Sequence, residues 1–327
     1  MVKTIMAALL ALGSAAHAAP GFVASPYKFL PLYNDAASNV ITVAPEGRSL
    51  PYVQMPGATA LTWAFAVGEC GKETWGGQPG AAVAAANVGA FAKSGIPYII
   101  STGGQGAVFN CGSKEGMDAF VARYDSPQLI GFDFDIEAGQ TKEDVRALLQ
   151  QIVHAQRKHP RLRFSFTIAT HAASDGSRHS LNETAELVLA EVRRSGLKDF
   201  VMNLMVMDYG PASKKVCVLR GSRCDMGASA IQAARNVHEK YKLPYSQIEL
   251  TPMIGVNDVV ENVFTLEDAK VMVDGVRKLK MAGVHFWSLD RDVPCRQPAS
   301  GAEAACSTMP DVQAGAYTQA LVKDLAR

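Results

Sequence analysis

The chain has 327 residues, a formal net charge of +1 and 19% charged residues, a composition that is typical of globular proteins. Because no basic excess is present to neutralise phosphates, we expect no nucleic-acid partner. The length suits one α/β barrel domain as well as two average domains.

The first residues predict a secretion signal. Met1-Val2-Lys3 is a short positive start, residues 5–12 are an apolar run too short to span a bilayer, and Ala16-His17-Ala18 is an A-x-A cleavage site. We therefore expect residues 1–18 to be removed and residues 19–327 to form a single exported domain, soluble, monomeric and without a membrane partner. The alternative is an N-terminal helix of the folded domain.

Export would place the six cysteines in an oxidising compartment, where disulfides form. Two pairs flank short polar loops and favour local bonds, and the remaining two cysteines follow successive candidate strands, so they could meet on neighbouring loops. Free thiols are the alternative, and no CxxC motif or histidine cluster indicates a metal. The predicted pairs are Cys70–Cys111, Cys217–Cys224 and Cys295–Cys306.

Eight short apolar runs, most of them bounded by turn residues, predict buried parallel strands. They lie at residues 28–33, 60–67, 98–101, 129–136, 163–168, 200–207, 247–254 and 284–289. Helical patterns lie at residues 81–94, 114–124, 142–159, 181–194, 228–241, 266–281 and 311–326. This alternation predicts a parallel α/β fold, and eight strands favour a closed (β/α)8 TIM barrel over an open sheet. Residues 35–59 show no helical pattern, and we interpret them as an irregular first crossover.

The candidate chemistry lies in the fourth run, Gly131-Phe132-Asp133-Phe134-Asp135-Ile136-Glu137. Because side chains alternate along a strand, Asp133, Asp135 and Glu137 share one face and the apolar residues share the other. In a barrel these acids would point inward, with Glu137 nearest the carboxyl-end mouth where barrel active sites lie. A proton shared among the three carboxyls would keep Glu137 able to donate, as cleavage of a glycosidic bond requires.

Two other interpretations of these acids are open. A solvated edge strand also carries acids on one face, but a parallel barrel has no such strand. Three carboxylates could instead bind Mg²⁺ or Ca²⁺. Few further ligands lie nearby in the sequence, so we expect no metal and no cofactor; EDTA sensitivity would separate the two cases.

The same segment resembles the DxxDxDxE signature of family 18 glycoside hydrolases, the chitinases and their relatives, although Ile130 replaces the first Asp. Residues 101–104 (STGG) resemble the family's SxGG strand end, residues 205–209 (MVMDY) its strand-six motif, and residues 286–289 (FWSL) its strand-eight end. Residues 74–77 (TWGG) and 251–258 (TPMIGVND) resemble a group of bacterial chitinases within the family.

The resemblance implies catalytic roles for four acids and a floor for the sugar. Glu137 would protonate the leaving oxygen. Asp135 would orient the acetamido group of the substrate and stabilise a cyclic oxazolinium intermediate, and Asp133 would share a proton with Asp135. Asp208 would assist in binding the acetamido group, and Trp287 would lie under the sugar at the cleavage point.

Further substrate contacts are expected from this resemblance. They are Tyr209, Met205, Asn203, Trp75 and Gly104. Where the family more often has Tyr-Asp, this chain has Met-Asp-Tyr at residues 207–209, so the phenol could come from Tyr209 or be missing. Methionines 205 and 207 could equally fill the barrel, and Trp75 could merely fix its loop. The remaining polar residues near strand ends are interpreted as structural: His171 and His179 as solvated, and residues 290–292 (DRD) as an ion-pair cluster.

The leading hypothesis is a secreted, retaining chitinase that acts on chitin or N-acetylglucosamine oligosaccharides. One alternative is an endo-β-N-acetylglucosaminidase acting on N-glycans. The other is a non-catalytic lectin of the same fold, which the presence of all three acids disfavours.

Overall fold

The computed structural model describes residues 21–32, 37–44 and 48–325. The expected signal segment, residues 1–18, lies outside these ranges. No helix in the described ranges is long and apolar enough to cross a membrane.

Eight parallel strands close into a barrel, which confirms the predicted fold. The barrel strands are β1 (Val23–Phe29), β2 (Leu61–Ala66), β3 (Tyr98–Gly103), β4 (Leu129–Asp135), β5 (Arg163–Ala169), β6 (Val201–Met205), β7 (Ile248–Thr251) and β8 (Gly283–Phe286). Their spatial order is β1-β8-β7-β6-β5-β4-β3-β2, and β2 pairs with β1 to complete the ring.

Six helices alternate with the strands after β1. They are α1 (Gly80–Ser94), α2 (Lys114–Tyr124), α3 (Lys142–Lys158), α4 (Glu183–Ser195), α5 (Met226–Tyr241) and α6 (Leu266–Leu279). Capping boxes start α3 and α6, because Thr141 and Thr265 each bond reciprocally with an Asp three residues later. Such caps satisfy amides that have no partner within the helix.

Short strand pairs and helical turns occupy the loops. The pairs are Thr42–Val43 with Leu50–Pro51, Gly68–Glu69 with Phe109–Asn110, Thr74–Trp75 with Gln78–Pro79, Leu219–Arg220 with Arg223–Cys224, and Gly255–Val256 with Val263–Phe264. The turns of 3₁₀ helix are Tyr52–Gln54, Tyr245–Gln247 and Leu289–Arg291. The described part of the first crossover is irregular, as the sequence predicts.

The two faces of β4 pack as their alternation predicts. Phe132 and Phe134 point outward; the ring centroid of Phe132 lies 5.1 Å from that of Phe120 on α2. Asp133 and Asp135 point into the barrel and are buried. The apolar face therefore anchors the strand against the helices, while the acids line the interior.

Two predicted elements are wrong at the ends of the chain. The first strand is Val23–Phe29 rather than residues 28–33; Pro31 cannot donate a ladder hydrogen bond, and residues 30–32 form a turn. In place of a helix over residues 311–326, the structure has a helical turn, Ala316–Thr318, and a π-helical turn, Gln319–Lys323. Gly315, at φ 80°, is left-handed and sets this late start.

A third difference concerns the start of α4. The sequence predicts a helix from residue 181, but α4 begins at Glu183, where the side chain of Asn182 accepts from the amide of Ala185 at 2.8 Å. Leu181 instead forms a β-bridge with Thr170, and this bridge delays the helix by two residues.

All three predicted disulfides are present: Cys70–Cys111, Cys217–Cys224 and Cys295–Cys306. The first joins the loops after β2 and β3. The second closes a hairpin after β6, and the third closes a loop after β8. Each bond therefore fixes a loop at the carboxyl end of the barrel.

Candidate active site

A cleft of about 290 Å³ opens at the carboxyl ends of the strands. It contains the predicted acids except Asp133, which lies deeper in the barrel. The lining residues are Tyr27, Phe65, Gln105, Asp135, Glu137, Thr167, Ala169, Thr170, His171, Asn182, Met205, Met207, Asp208, Thr251, Met253, Asp258 and Trp287. A larger open depression of about 740 Å³ lies beside the Cys295–Cys306 loop. It contains none of these acids, so we assign the site by its chemistry to the smaller cleft.

Asp133 accepts four hydrogen bonds at the base of the site. Tyr27 Oη and Ser101 Oγ donate to Oδ2 at 2.9 and 2.7 Å, and Ser165 Oγ and Thr167 Oγ1 donate to Oδ1 at 2.8 Å each. Burial raises the pKa of Asp133, and these hydroxyls oppose that effect. Four donors fill the acceptor positions of an ionised carboxylate, so the surroundings of Asp133 suit the anion.

Asp135 has the opposite surroundings. It is buried, and its Oδ1 has no hydrogen-bond partner within the described ranges. Burial, followed by the charges of Glu137 and Asp133, raises the pKa of Asp135 well above its usual value. A buried carboxyl without donors is more stable in the neutral form, so Asp135 is the acid that suits a bound proton. Its open oxygen lies where the strand reaches the cleft.

Glu137 lies two residues after the end of β4 and is half-buried at the mouth of the barrel. Burial raises the pKa of Glu137, and the nearby charges of Asp208 and Asp258 raise it further. The sequence predicts an effect of the neighbouring acids of β4, and the charges of Asp135 and Glu137 do oppose each other. The structure adds burial and the acids on the loops after β6 and β7. The result is the same in direction, a carboxyl that keeps its proton to higher pH.

Asp208 lies opposite Glu137 on the loop after β6, with φ 50°. Its Oδ1 accepts from the amide of Val259 at 2.8 Å, and its own amide donates to Asn257 Oδ1 at 3.3 Å. Burial raises the pKa of Asp208. The loop after β7 therefore holds Asp208 in place and brings Asp258 to the same cleft.

Aromatic rings form the floor. The rings of Trp287 and Phe65 stack 5.6 Å apart with an interplanar angle of 15°, and the ring of Tyr27 lies 6.3 Å from that of Trp287. Gly104, at φ 85°, lies behind Phe65; a Cβ there would come within 2.7 Å of the Phe65 ring. Gly104 is therefore needed for packing behind the floor, and it does not line the cleft.

Two predicted substrate contacts are wrong. Trp75 is 1% exposed, and its Nε1 donates to Tyr124 Oη at 2.7 Å, so it fixes its loop against α2. Tyr209 is 2% exposed and does not line the cleft. Its ring packs in the hydrophobic core, and burial raises the pKa of the phenol.

Of the other predicted contacts, some line the cleft and one lies buried beneath it. Met205 and Met207 line the cleft. Asn203 is buried below it, where its Nδ2 donates to Tyr27 Oη and Thr167 Oγ1 at 2.9 Å each. Asn203 therefore orients the hydroxyls around Asp133 and is too deep to touch a ligand.

The residues interpreted as structural also differ from expectation. His171 lines the cleft, stacked on His179 with ring centroids 4.6 Å apart, so it is not simply solvated. Asp290 pairs with Lys28 at 2.8 Å. Arg291 donates instead to backbone carbonyls, including that of Ile254 at 3.0 Å. Residues 290–292 therefore anchor three different parts of the chain and do not pair among themselves.

Three residues that line the cleft are not predicted from the sequence: Tyr27, Phe65 and Asp258. A correctly placed first strand would have indicated Tyr27, because the alternation in Val23–Phe29 turns Ser25 and Tyr27 to one face. Asp258 lies within the segment quoted for its resemblance to bacterial chitinases, but nothing in that segment alone marks it as facing Glu137. Across the described residues, no three His, Cys, Asp or Glu side chains are grouped as ligands of one metal ion.

Comparisons with known proteins find two curated relatives whose names include chitinase. The probable bifunctional chitinase/lysozyme of Escherichia coli (strain K12) is 28% identical over 222 residues, which cover 63% of this chain and 24% of that protein. Endochitinase 11 of Metarhizium anisopliae is 33% identical over 116 residues, which cover 33% of this chain and 22% of that protein. The chain thus spans about a quarter of the length of these relatives. No family model matches it.

A solved structure resembles nearly the whole chain. It contains catalytic-site mutants of active domain 2 of a thermostable chitinase from Pyrococcus furiosus, complexed with chito-oligosaccharides. The TM-score is 0.70 at 25% sequence identity, and the match covers 95% of this chain and 96% of that one. With its eight-stranded barrel and these relatives, the chain is a chitinase-like protein, similar to the family 18 glycoside hydrolases that its sequence motifs resemble.

Proposed function

We propose that this protein hydrolyses β-1,4-linked N-acetylglucosamine chains, as in chitin and chito-oligosaccharides, with Glu137 as the general acid. The observation that carries the proposal is the contrast between neighbouring carboxyls. Glu137 lies at the mouth with a raised pKa, and the buried Asp135 below it presents an oxygen without a partner within the described ranges. A glycosidase needs a carboxyl that is protonated at working pH to donate to the leaving oxygen.

Asp135 suits the acetamido group of the sugar bound at the cleavage point. Its unpartnered Oδ1 can accept from the acetamido N–H, which satisfies the buried oxygen. That bond would turn the acetamido oxygen toward the anomeric carbon. Since Asp133 is surrounded by four donors, we assign the proton of the pair to Asp135 rather than sharing it equally.

The attacking group is the substrate's own acetamido oxygen. Most retaining glycosidases attack with a second carboxylate on the face opposite the acid. Here Asp133 and Asp135 approach from the same strand as Glu137, and Asp133 is buried at the base. Family 18 is a recognised substrate-assisted exception. The acetamido oxygen attacks as Glu137 protonates the leaving oxygen; water then opens the cyclic intermediate while Glu137 takes the proton back.

The floor and the facing wall position the sugar. Trp287 and Phe65 offer an apolar surface for the face of the ring. Asp208 faces Glu137 across the cleft and would contact the acetamido group, and Met205 would pack beside it. The crystallised Pyrococcus furiosus domain with chito-oligosaccharides supports this substrate class, since it matches 95% of this chain.

The protein is further proposed to be secreted and to act as a monomer. Three disulfides at the mouth of the barrel fit an oxidising compartment, because such bonds are rare where thiols are kept reduced. The sequence features of residues 1–18 support export independently.

The test is release of reducing ends from a soluble N-acetylglucosamine oligomer. Glu137→Gln keeps the shape of the side chain but cannot donate the proton, so turnover should fall by about 10²- to 10⁴-fold. Glu143→Gln, on the exposed start of α3, is the matched control and should retain wild-type turnover. Near-normal hydrolysis by Glu137→Gln would exclude the assignment; absence of turnover in the wild type would favour a lectin.

A further inference from the structure

Arg291 is a buried cation that the proposed mechanism does not use. It lies in the turn of 3₁₀ helix after β8 and is 1% exposed. Its guanidinium donates to three backbone carbonyls rather than to a carboxylate. Nε and Nη2 donate to Ile254 at 3.3 and 3.0 Å, Nη2 also donates to Val256, and Nη1 donates to Glu303. A buried charge is costly unless its surroundings compensate it, so its position requires an explanation.

Two of these carbonyls belong to residues 254–259, the segment after β7 that we call the wall segment. Asp258 in this segment lines the cleft. The amide of Val259 donates to Asp208 Oδ1 at 2.8 Å, and Asn257 Oδ1 accepts from the amide of Asp208 at 3.3 Å. The guanidinium therefore bonds, from behind, the same short segment that carries one cleft acid and holds the other.

The third carbonyl belongs to the loop that the Cys295–Cys306 disulfide closes, and this loop also contacts the wall segment. The backbone oxygen of Ser307, next to Cys306, accepts from the amide of Val256 at 3.2 Å. A Cβ at Gly255 would come within 1.8 Å of the same oxygen, so the two backbones approach closely there. Arg291 thus lies between the wall segment and the disulfide loop and bonds both.

The positive charge of Arg291 complements the acids that the wall segment carries or holds. Burial lowers the pKa of Arg291 to about 10, and the charges of Asp258 and Asp208 oppose that effect. The guanidinium is therefore charged at neutral pH. In return, burial raises the pKa of Asp208, and the charge of Arg291 acts against this rise. A cation behind the wall segment thus faces two acids on its cleft side.

We propose that Arg291 is a positioning residue, which together with the Cys295–Cys306 loop fixes the wall segment so that Asp208 and Asp258 face Glu137. Arg291 does not line the cleft, so it touches no substrate and acts through these two carboxylates. The inference rests on the proposed function only in taking Glu137 as the general acid. It also makes the site sensitive to reduction of one particular disulfide.

The effect on Glu137 has a definite sign. Burial raises the pKa of Glu137, and the charges of Asp208 and Asp258 raise it further. A wall segment that moves away would expose the carboxyl and remove these charges, and both changes lower the pKa. The titratable groups that line the cleft with Glu137 are Tyr27, Asp135, His171, Asp208 and Asp258. Of these, only the last two belong to the wall segment or bond to it.

The first test is independent of activity. Arg291→Lys keeps the charge, but one ammonium cannot reproduce the fixed fork that bonds three carbonyls. A ¹³C NMR titration of labelled glutamates, with the Glu137 signal identified by its absence in Glu137→Gln, should show the pKa of Glu137 lowered by about 0.5 to 1 unit. Arg157→Lys, on the exposed face of α3, should leave it in place. An unchanged Glu137 pKa in folded Arg291→Lys would overturn the proposal, whereas lack of turnover in the wild type would refute only the proposed function.

The second test separates positioning from stability. The double variant Cys295→Ser/Cys306→Ser should lower the pKa of Glu137 and reduce kcat/KM by about 10-fold or more, since small misplacements at a site are costly. The control is Cys70→Ser/Cys111→Ser. It opens a longer loop, with a separation of 41 positions against 11, and should lose more stability. It should nevertheless leave the pKa of Glu137 in place. Equal pKa shifts in the two double variants, or no shift in Cys295→Ser/Cys306→Ser, would contradict the positioning role.

Discussion

Three acids on one strand face have different surroundings, and this difference divides their roles. Asp133 is surrounded by hydroxyl donors, Asp135 has an oxygen without a partner within the described ranges, and Glu137 lies at the mouth between two loop acids. Each step of two residues moves the side chain toward the cleft. We propose that the three carboxyls act, in that order, as an anion, a neutral carboxyl and a proton donor. The chemistry is thus set by what the neighbouring strands place beside each acid.

Replacing Asp135 with Asn should stabilise the protein while it abolishes turnover. The folded pKa of Asp135 is raised, so ionisation costs stability as pH rises from the unfolded value through the folded one. A neutral amide removes that cost. We expect Tm to rise by about 2 °C at pH 8, with a smaller rise at pH 4. Differential scanning calorimetry at both pH values measures this, and a lower Tm at pH 8 would contradict the raised pKa.

Replacing Asp258 with Asn should move the basic limb of the kcat profile to lower pH. The charge of Asp258 helps to raise the pKa of Glu137, and without it Glu137 loses its proton earlier. We expect a shift of up to about one pH unit. Glu261→Gln, an exposed change on the same loop, is the control. A basic limb that is equal in both variants would show that the charge of Asp258 does not raise the pKa of Glu137.

At the scale of elements, the sequence predicts the barrel well because the alternation of apolar and polar residues matches the faces that the structure buries. The alternation in β4 places Phe132 and Phe134 against the helices and the acids inside. It predicts less well where a residue depends on distant partners. Trp75 lies in a glycine-rich loop that could face the cleft, and only its bond to Tyr124 shows that it packs inward. Asp258 likewise acts on Glu137 only because the barrel brings the loops after β4 and β7 to one mouth.

Removing a disulfide at the mouth should lower the free energy of unfolding, and the loss should be larger for the longer loop. Cys70 and Cys111 are separated by 41 positions, and Cys217 and Cys224 by 7. The loop-entropy relation gives about 4 kcal/mol for the longer loop and about 2.5 kcal/mol for the shorter one. Urea unfolding of the two paired Cys→Ser variants should therefore rank the Cys70–Cys111 variant as less stable. The reverse order would show that strain or residual structure dominates.

At the scale of the molecule, the barrel gathers groups from nearly every strand around one cleft. β4 supplies Asp133 and Asp135. β1, β3 and β5 supply the hydroxyls around Asp133, and Trp287 follows the end of β8. The loops after β6 and β7 bind each other through Asp208 and close the facing wall. No single element contains a site; closure of the ring creates it, as in other barrels with active sites at the carboxyl ends.

The most direct measurement is proton NMR of the first product released from an N-acetylglucosamine oligomer. If the acetamido oxygen attacks while Glu137 protonates the leaving oxygen, water then opens the intermediate from the side that the leaving group occupied. The first-formed reducing end is then the β-anomer, and the α-anomer appears only by mutarotation. A fully deacetylated oligomer, which lacks the attacking oxygen, should remain uncut. Initial release of the α-anomer would contradict substrate assistance and the roles assigned here to Asp135 and Asp208.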